Sequence, residues 1–569
     1  MQPFKDALVN EPNQQPLEDD YLKFLAFSFQ TKASLVCLIN NHNFLDGVLF
    51  RGARHWFLER ANLVLICDLN GNSNTGERPE GIEDQNVFEI TPGVSVNLFA
   101  SVPPSFARCR YLSVWGKRED KFKRLTSLDI GSGAEITPCE PDWLLTDDIG
   151  SRDEDFDGFV RVPDVFGQNS TGVMTVRDSL AVGFDIQEII ARFKKFRDSS
   201  VPDSNFPVKD YRSCSIASAR KAVTADLDWK DRPQTIHYRP FDFRVVYYSS
   251  DIVTYPNYRI MENISPDHLA LMTTRLNKGE KHAHELVTGI MPEIISLSSK
   301  SSNNAYVFPL YTRAVQTGST DLPNLSQTFT ARLTALTHLR FDDGSDAPAQ
   351  GDPTGTKPPL RAARALRRER GDLETTFGAR DVFDWIYAVL HSPAYRERYA
   401  DFLKSDFARV PLPKDRNLFA ALVPLGTKLV TLHLLDADAL PDLLKDPKVR
   451  FASTGGEPRL GRFGKDKEVH RDASGRVYLN AQNWFATVPE AAWEHWIGGY
   501  QPAQKWLKDR AQTGAKDKLK PGRLLTGEDI LHYRRMIVAL EETGRVMAEI
   551  DKVIGEHGGW PDAFKGMTD

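Results

Sequence analysis

Cysteine is scarce in this chain, with five residues in 569 (Cys37, Cys67, Cys109, Cys139 and Cys214). Their number is odd, their spacing is wide, and no CxxC pair occurs. A disulfide framework and a cysteine-ligated zinc module are therefore excluded. Long apolar runs are absent too, so no segment reads as membrane-spanning. The N-terminus lacks the basic start and apolar stretch of a signal peptide and carries Glu18, Asp19 and Asp20 instead, so the cytoplasm is the expected location. There is no positive excess: 72 Lys and Arg face 77 Asp and Glu, a formal charge of −5. That argues against a generally basic nucleic-acid coat but leaves room for a local positive groove. No internal repeat is visible. What is present is ordinary globular composition, 41% hydrophobic and 26% charged, with length for about two to four domains.

The first hundred or so residues read as α/β. "YLKFLAF" (Tyr21 to Phe27) has helical spacing. "LVCLIN" (Leu35 to Asn40), "LVLICDL" (Leu63 to Leu69) and "VSVNLFA" (Val94 to Ala100) are nearly continuous apolar runs. Such runs suit strands of one parallel-type sheet covered on both faces. "FRGARHWFLER" (Phe50 to Arg60) fits a crossover helix between the first two. From about Lys117 to Tyr311 the pattern is irregular and β-leaning, with "FRVVYY" (Phe243 to Tyr248) β-branched and aromatic. "YVFPLY" (Tyr306 to Tyr311) carries a proline suited to an edge or a strand end. "FDDGSDAPAQGDPTGTKPP" (Phe341 to Pro359) lacks apolar content and reads as a linker, followed by the basic run "RAARALRRER" (Arg361 to Arg370).

The remainder reads as mostly helical. Asp381 is an expected N-cap for a helix with Phe383, Ile386, Tyr387 and Leu390 on one face, ended by Pro393. Tyr395, Tyr399, Phe402 and Leu403 repeat the spacing. Thr526 and Asp529 form a capping-box pattern before Ile530, Tyr533, Ile537 and Leu540, and Val546, Ile550, Val553 and Ile554 make a final stripe. Trp493, Trp496 and Trp506 have roughly helical spacing and are expected in the core.

"LDIGSGAEITP" (Leu128 to Pro138) imitates a glycine cofactor loop. Such a loop needs a buried strand feeding in and a helix leaving, with the helix N-terminus facing the ligand. Upstream lies "KREDKFKRLTS", and downstream Pro138 and Pro141 follow within a few residues. The stretch is expected to be a connecting turn that binds no S-adenosylmethionine.

Longer motifs carry a resemblance. "INNHNFLDGVLFRGARHWFLE", "LICDLNGNSNTGE" and "QNVFEITPGVSVNLF" occur in that order. They resemble the second half of the catalytic domain of γ-class N6-adenine DNA methyltransferases of type ISP restriction–modification enzymes. "TGVMTVRDS", "IHYRPFDFRVVYYSSDIVTYPNYRIMENI", "YVFPLY", "DVFDWIYAVLHSPAYRERYADFLKSDFARVPLP" and "WIGGYQPAQKWLKDR" are similar to the C-terminal specificity domain of that family. The chain departs from the family in having no Asn/Asp-Pro-Pro-Tyr/Phe tetrapeptide; "KPPL" (Lys357 to Leu360) lacks both amide and aromatic. Met1 falls just beyond the expected place of that loop, and the helicase and nuclease regions are absent. The missing loop would hold the adenine amine toward the methyl sulfonium and stack on the flipped base. Methyl transfer by this chain alone is therefore not expected.

The resemblance implies an α/β fold made of a partial Rossmann-like methyltransferase sheet, a mixed α/β target-recognition domain and a helical C-terminal region. The expected bounds are 1–116 for the catalytic half, 117–340 for the β-rich recognition part, 341–372 for a linker or insertion and 373–569 for the helical part. The implied function is sequence-specific reading of duplex DNA as the C-terminal part of an adenine-N6 methyltransferase. The alternative is a non-enzymatic DNA-specificity protein. S-adenosylmethionine is implied for the complete enzyme only. An upstream polypeptide carrying the missing half is an implied partner alongside double-stranded DNA.

For the target base, Phe88 matches a family motif near the flipped base, against the plain reading of a core Phe at a strand start. Asn40, His42 and Asn43 follow a strand C-terminus, where α/β sites gather, and are also good turn residues. For DNA, Arg177 either contacts phosphate or guanine or pairs locally with Asp178. Arg239, Asp242 and Arg244 read first as a buried Arg–Asp staple, since strand alternation puts Asp242 and Arg244 on one face; Arg244 is also a DNA candidate. Arg259 and Arg275, with Tyr255 and Tyr258, are groove candidates. His282, His284 and Glu285 lack a further ligand at metal spacing, so no metal is expected. The Arg361 to Arg370 run is either a phosphate grip or a solvated helix face.

Overall fold

The computed structural model describes the chain apart from residues 1, 7–14, 32–33, 74–78, 80, 102–107, 130, 141, 148–153, 207–209, 211–214, 278–279, 301–302, 314–320, 344–369, 515–519 and 566–569. Most of the expected linker and basic run thus lies outside the described residues. The chain divides into two compact units, Met1–Asp157 with Asp401–Asp406, and Gly158–Ala400 with Phe407–Asp569. Both mix helices with small sheets, an α/β architecture.

The first unit holds five strands: β1 (Leu35–Asn41), β2 (Leu63–Asp68), β3 (Val94–Ala100), β4 (Arg108–Ser113) and β5 (Ala134–Ile136). They lie in the order β1-β3-β2-β4-β5. The three apolar runs share this sheet as expected, but it is not parallel throughout. β3 enters between β1 and β2 antiparallel to both, while β2 and β4 are parallel. The helix Arg51–Leu58 makes the connection from β1 to β2. Its Phe57 packs with Val36, Val64, Ile66 and Phe99 from one face of the sheet. Fully buried Arg54 on that helix donates to the backbone carbonyls of Phe44, Gly47 and Asp142, which pins the loops at its ends.

The other face corrects the expectation of a sheet covered on both sides. The register aligns Leu35, Cys37 and Ile39 with Ala100, Leu98 and Val96, and these in turn with Leu63, Leu65 and Cys67. One end of this face is closed by Val87, Val114 and Leu125. At the other, Leu35 is 59% and Ile39 54% exposed, and β1 is an edge strand. An apolar face next to a free edge is a surface that invites pairing.

In the second unit Asp242–Tyr247 is the centre of a three-stranded antiparallel sheet, between Pro233–Arg239 and Val182–Gly183. A four-stranded antiparallel sheet runs Leu286–Thr288, Ala270–Thr274, Ala305–Pro309, Ser170–Thr171. The "YVFP" strand is therefore interior, with its proline at the strand end. Every residue of the helix Ala379–Leu390 is buried. Asp381 is its third residue, not its N-cap: it accepts from the Gly378 N–H at 2.9 Å and from Gly371 at 2.7 Å. The helix Arg416–His433 crosses so closely that a Cβ on Gly426 would stand 1.9 Å from the Asp384 carbonyl oxygen. The helix Gly527–Glu556 runs thirty residues from the expected Thr526/Asp529 capping box. The region after residue 373 is not helical alone. Arg450–Ser453, His470–Arg471, Val477–Tyr478 and Asn483–Ala486 form a four-stranded sheet. Among the described residues no helix is long and apolar enough to cross a membrane.

Candidate functional site

The glycine stretch is a turn from the helix Arg118–Leu125 into β5, the reverse of the strand–loop–helix order a cofactor loop requires. Asp129 closes it by accepting from Gly131 N–H at 2.9 Å and Ser132 Oγ at 3.0 Å. Gly133 has φ +88, and a Cβ there would meet Tyr111 O at 2.4 Å. The glycine serves backbone packing, not ligand approach.

In the first unit a polar cluster forms where β1 and β2 end. The His42 ring nitrogen Nδ1 stands 2.9 Å from Asp68, whose other oxygen accepts from Tyr111 OH at 3.2 Å. Gly93 lies flat on the imidazole, since a Cβ there would be 2.4 Å from the ring. Asn40 is buried and accepts from Asn97 at 2.8 Å across the covered face. Asn43 follows in a short turn capped by Asn41. Asp68, Asn97 and Tyr111 were not singled out from the sequence, because only the approach of β2, β3 and β4 in the sheet brings them to His42 and Asn40. Phe88 is neither a core residue nor a strand residue. It is 45% exposed in a loop that Asn86 and the buried Lys121–Asp84 pair (2.6 Å) hold in place.

In the second unit, "TGVMTVRDS" and "TYPNYR" lie side by side. The Met174 N–H donates to Tyr255 O at 3.1 Å, and Asn257 Nδ2 donates to Thr171 O at 2.8 Å. Together they present Val176, Tyr255, Tyr258 and Arg259 as an exposed patch. Val176 adopts φ +59, costly for a β-branched residue and held only where the surroundings demand it. Thr175, just before that kink, donates to Asp178, just after it, and Tyr238 donates to the other oxygen of Asp178. Arg177 and Arg275, by contrast, are buried. Arg177 is the N-cap of the short helix Asp178–Ala181, and Arg275 directly follows a wholly buried strand.

Arg244 takes the staple reading. Its guanidinium donates to Asp242 at 2.7 Å and to Asp509 at 2.8 Å. Arg510 completes the node, donating to Asp242 at 2.8 Å and lying 3.7 Å over the Trp506 ring. Burial alone would raise the Asp242 carboxyl, but Arg510 and Arg244 hold it down at about 2. Arg239 leaves the expected staple and pairs with Glu293 at 2.7 Å. Sequence spacing alone could not show Arg510, which lies 268 residues from Asp242.

The histidines lie within hydrogen-bond distance of carboxylates. His282 meets Glu285 at 2.6 Å, and Glu285 also accepts from Arg396 at 3.0 Å. His284 meets Glu280 at 2.9 Å. Among the described residues no group of three or more His, Cys, Asp or Glu is placed to hold a metal. Arg370, the last residue of the basic run, pairs with Asp381 at 3.0 Å and with Asp384. Trp493 and Trp506 are buried as expected, whereas Trp496 is exposed.

Residues 164–549 match the family described as the type ISP C-terminal specificity domain. That is more than half of the chain, and the chain belongs to this family. No curated protein matches. Among solved structures, the ATP-dependent type ISP restriction–modification enzyme LlaBIII bound to DNA is similar, with a TM-score of 0.65 at 16% identity over 97% of this chain and 35% of that one. The DrdV–DNA complex has a TM-score of 0.60 at 21% identity over 95% and 52%. A nuclease-deletion mutant of the type ISP enzyme LlaGI with a DNA substrate mimic has a TM-score of 0.60 at 15% over 96% and 42%. The chain thus spans about a third to a half of the length of these proteins, and the likeness establishes the fold.

Proposed function

We propose that this chain reads a short duplex DNA sequence as the specificity portion of a type ISP restriction–modification adenine methyltransferase in the cytoplasm. The observation that carries the reading is the family match over residues 164–549, together with the Tyr255–Tyr258–Arg259 patch raised beside the kinked Val176. Aromatic and guanidinium groups exposed together beside a hydrogen-bonded turn suit contacts to phosphates and base edges. Arg244 then acts behind this surface through its pair with Asp242, and Arg177 and Arg275 act from buried positions.

The first unit is, in this reading, the second half of a Rossmann-like methyltransferase sheet. Its free β1 edge and the exposed Leu35 and Ile39 beside it support a partner polypeptide supplying further strands. Phe88, Asn40, His42 and Asn43 would line the target-base side of the joined domain. S-adenosylmethionine would serve the complete enzyme. The described residues offer it no strand–loop–helix cradle at Asp129 to Gly133, so no step through the cofactor is assigned to this chain.

A second reading, a DNA-binding protein without methyltransferase activity, is favoured by the absent Asn-Pro-Pro-Tyr tetrapeptide. Both readings require sequence-selective DNA binding. Selection from random duplexes should enrich one short motif, and a pool that stays random removes both.

A further inference from the structure

Eight Lys and Arg against two Asp and Glu fall in residues 459–467 and in 508–514 with 520–523, within a chain where 72 face 77. This local excess escaped notice because the two stretches lie about forty residues apart and neither is a continuous basic run. The fold joins them. Leu460 N–H donates to Arg523 O at 3.1 Å, Gln512 N–H to Gly461 O at 2.9 Å, and Arg462 Nη2 to Gly514 O at 3.3 Å. Gly522 lets the strands touch, as a Cβ there would stand 1.9 Å from Leu460 O. A tight turn, closed by Lys467 N–H on Gly464 O at 3.1 Å, carries Lys465 and Lys467 outward.

The cations on these loops differ from others in the same unit. Lys445, Lys448, Arg545 and Lys552 are paired with Asp438, Glu541, Glu542 and Glu549. Exposed Arg462, Lys465, Lys467, Lys508 and Lys520 make no ion pair with a carboxylate among the described residues. Asp466 and Glu468 share the turn, and Glu468 accepts from the Arg462 backbone N–H at 3.1 Å. The loops are also anchored to the recognition segment. Arg510 reaches Asp242, Arg244 lies 4.0 Å over the Tyr238 ring, and Tyr238 OH donates to Asp178 at 2.7 Å.

We propose that these two loops form a clamp on the phosphate backbone of duplex DNA, independent of base sequence. The proposal rests on the DNA reading above. Exposed ammonium and guanidinium groups with no carboxylate partner among the described residues suit a row of phosphates. Released counterions would supply the affinity, and register would be set for the patch that reads bases.

The test compares the full chain with a variant carrying Arg462→Gln, Lys465→Gln, Lys467→Gln and Lys520→Gln. A control carries Lys445→Gln, Lys448→Gln, Arg545→Gln and Lys552→Gln, which changes the net charge equally. Anisotropy titrations use a duplex bearing the selected motif and a scrambled one across a salt series. In the clamp variant the slope of log affinity against log salt should fall by about three to four, close to one per lost phosphate contact. The preference for the motif over the scrambled duplex should stay within about twofold. A slope within about one of the unmodified chain, or an equal loss in the control, overturns the clamp but not the DNA reading. Failure of the unmodified chain to bind either duplex overturns both.

Discussion

Replacing Asp242 with alanine removes the carboxylate shared by two buried arginines. Asp242 is 1% exposed, and it accepts from Arg244 at 2.7 Å and from Arg510 at 2.8 Å. Arg244 would keep Asp509, at 2.8 Å. Arg510 would keep only the Trp506 carbonyl, at 3.2 Å, and the faces of Trp506 and Phe184. Leaving one buried guanidinium without its carboxylate should cost about 3–5 kcal/mol. A domain holds roughly 5–15 kcal/mol in total, so the loss is large. The carboxyl also sets a pH signature. It is held at about 2 against an ordinary 3.8, which corresponds to about 2 kcal/mol. Because the folded value is the lower one, that stability is present above about pH 4 and lost as pH falls towards 2.

Urea unfolding followed by tryptophan fluorescence reads both effects, since Trp506 lies against Arg510. Asp242→Ala should shift the transition by the stated amount and flatten its acid limb. Asp242→Asn should lose about half as much, since it keeps the shape but not the charge. Combined with Arg510→Met, the two losses should fall short of additive by at least about 1.5 kcal/mol. A cost below about 1 kcal/mol for Asp242→Ala, or strict additivity, would refute the reasoning.

Gly426→Ala should cost at least about 3 kcal/mol, because the new methyl meets the Asp384 backbone and neither helix can yield cheaply. A melting temperature within about 2 °C of the unmodified chain would contradict the crossing geometry. Transfer of labelled methyl groups to DNA should be absent with this chain alone. It should appear when a polypeptide bearing the cofactor loop and the Asn-Pro-Pro-Tyr loop is added, with Phe88→Ala then lowering the rate more than the DNA affinity. Methylation by the purified chain alone would place the catalytic site elsewhere.

Regular periodicity was readable from the residues. The three apolar runs, the crossover helix and the Thr526/Asp529 capping box all lie where their patterns put them. Direction and coverage were not. β3 is as apolar as its neighbours whichever way it runs, so nothing in "VSVNLFA" marks it as antiparallel. The sheet Arg450–Ala486 escaped because its strands are two to four residues long and broken by glycine and proline. The Asp242–Arg244 staple was legible from strand alternation, while Arg510 and the joining of the two basic loops depend on tertiary approach. Asp381 illustrates the margin of local rules. As the third residue of its helix it reaches back to the N–H of the N-cap residue Gly378, where an N-cap side chain would have accepted from N–H groups inside the first turn.

Selection of a DNA sequence by this chain alone is open to direct test. The direct measurement is repeated selection from a random duplex library with the purified full chain at moderate salt. It should be followed by titration of the recovered motif against a scrambled duplex. One short enriched motif is expected, preferred by at least about tenfold, with affinity falling as salt rises. A pool that remains random, or binding that ignores sequence at every salt concentration, would contradict it.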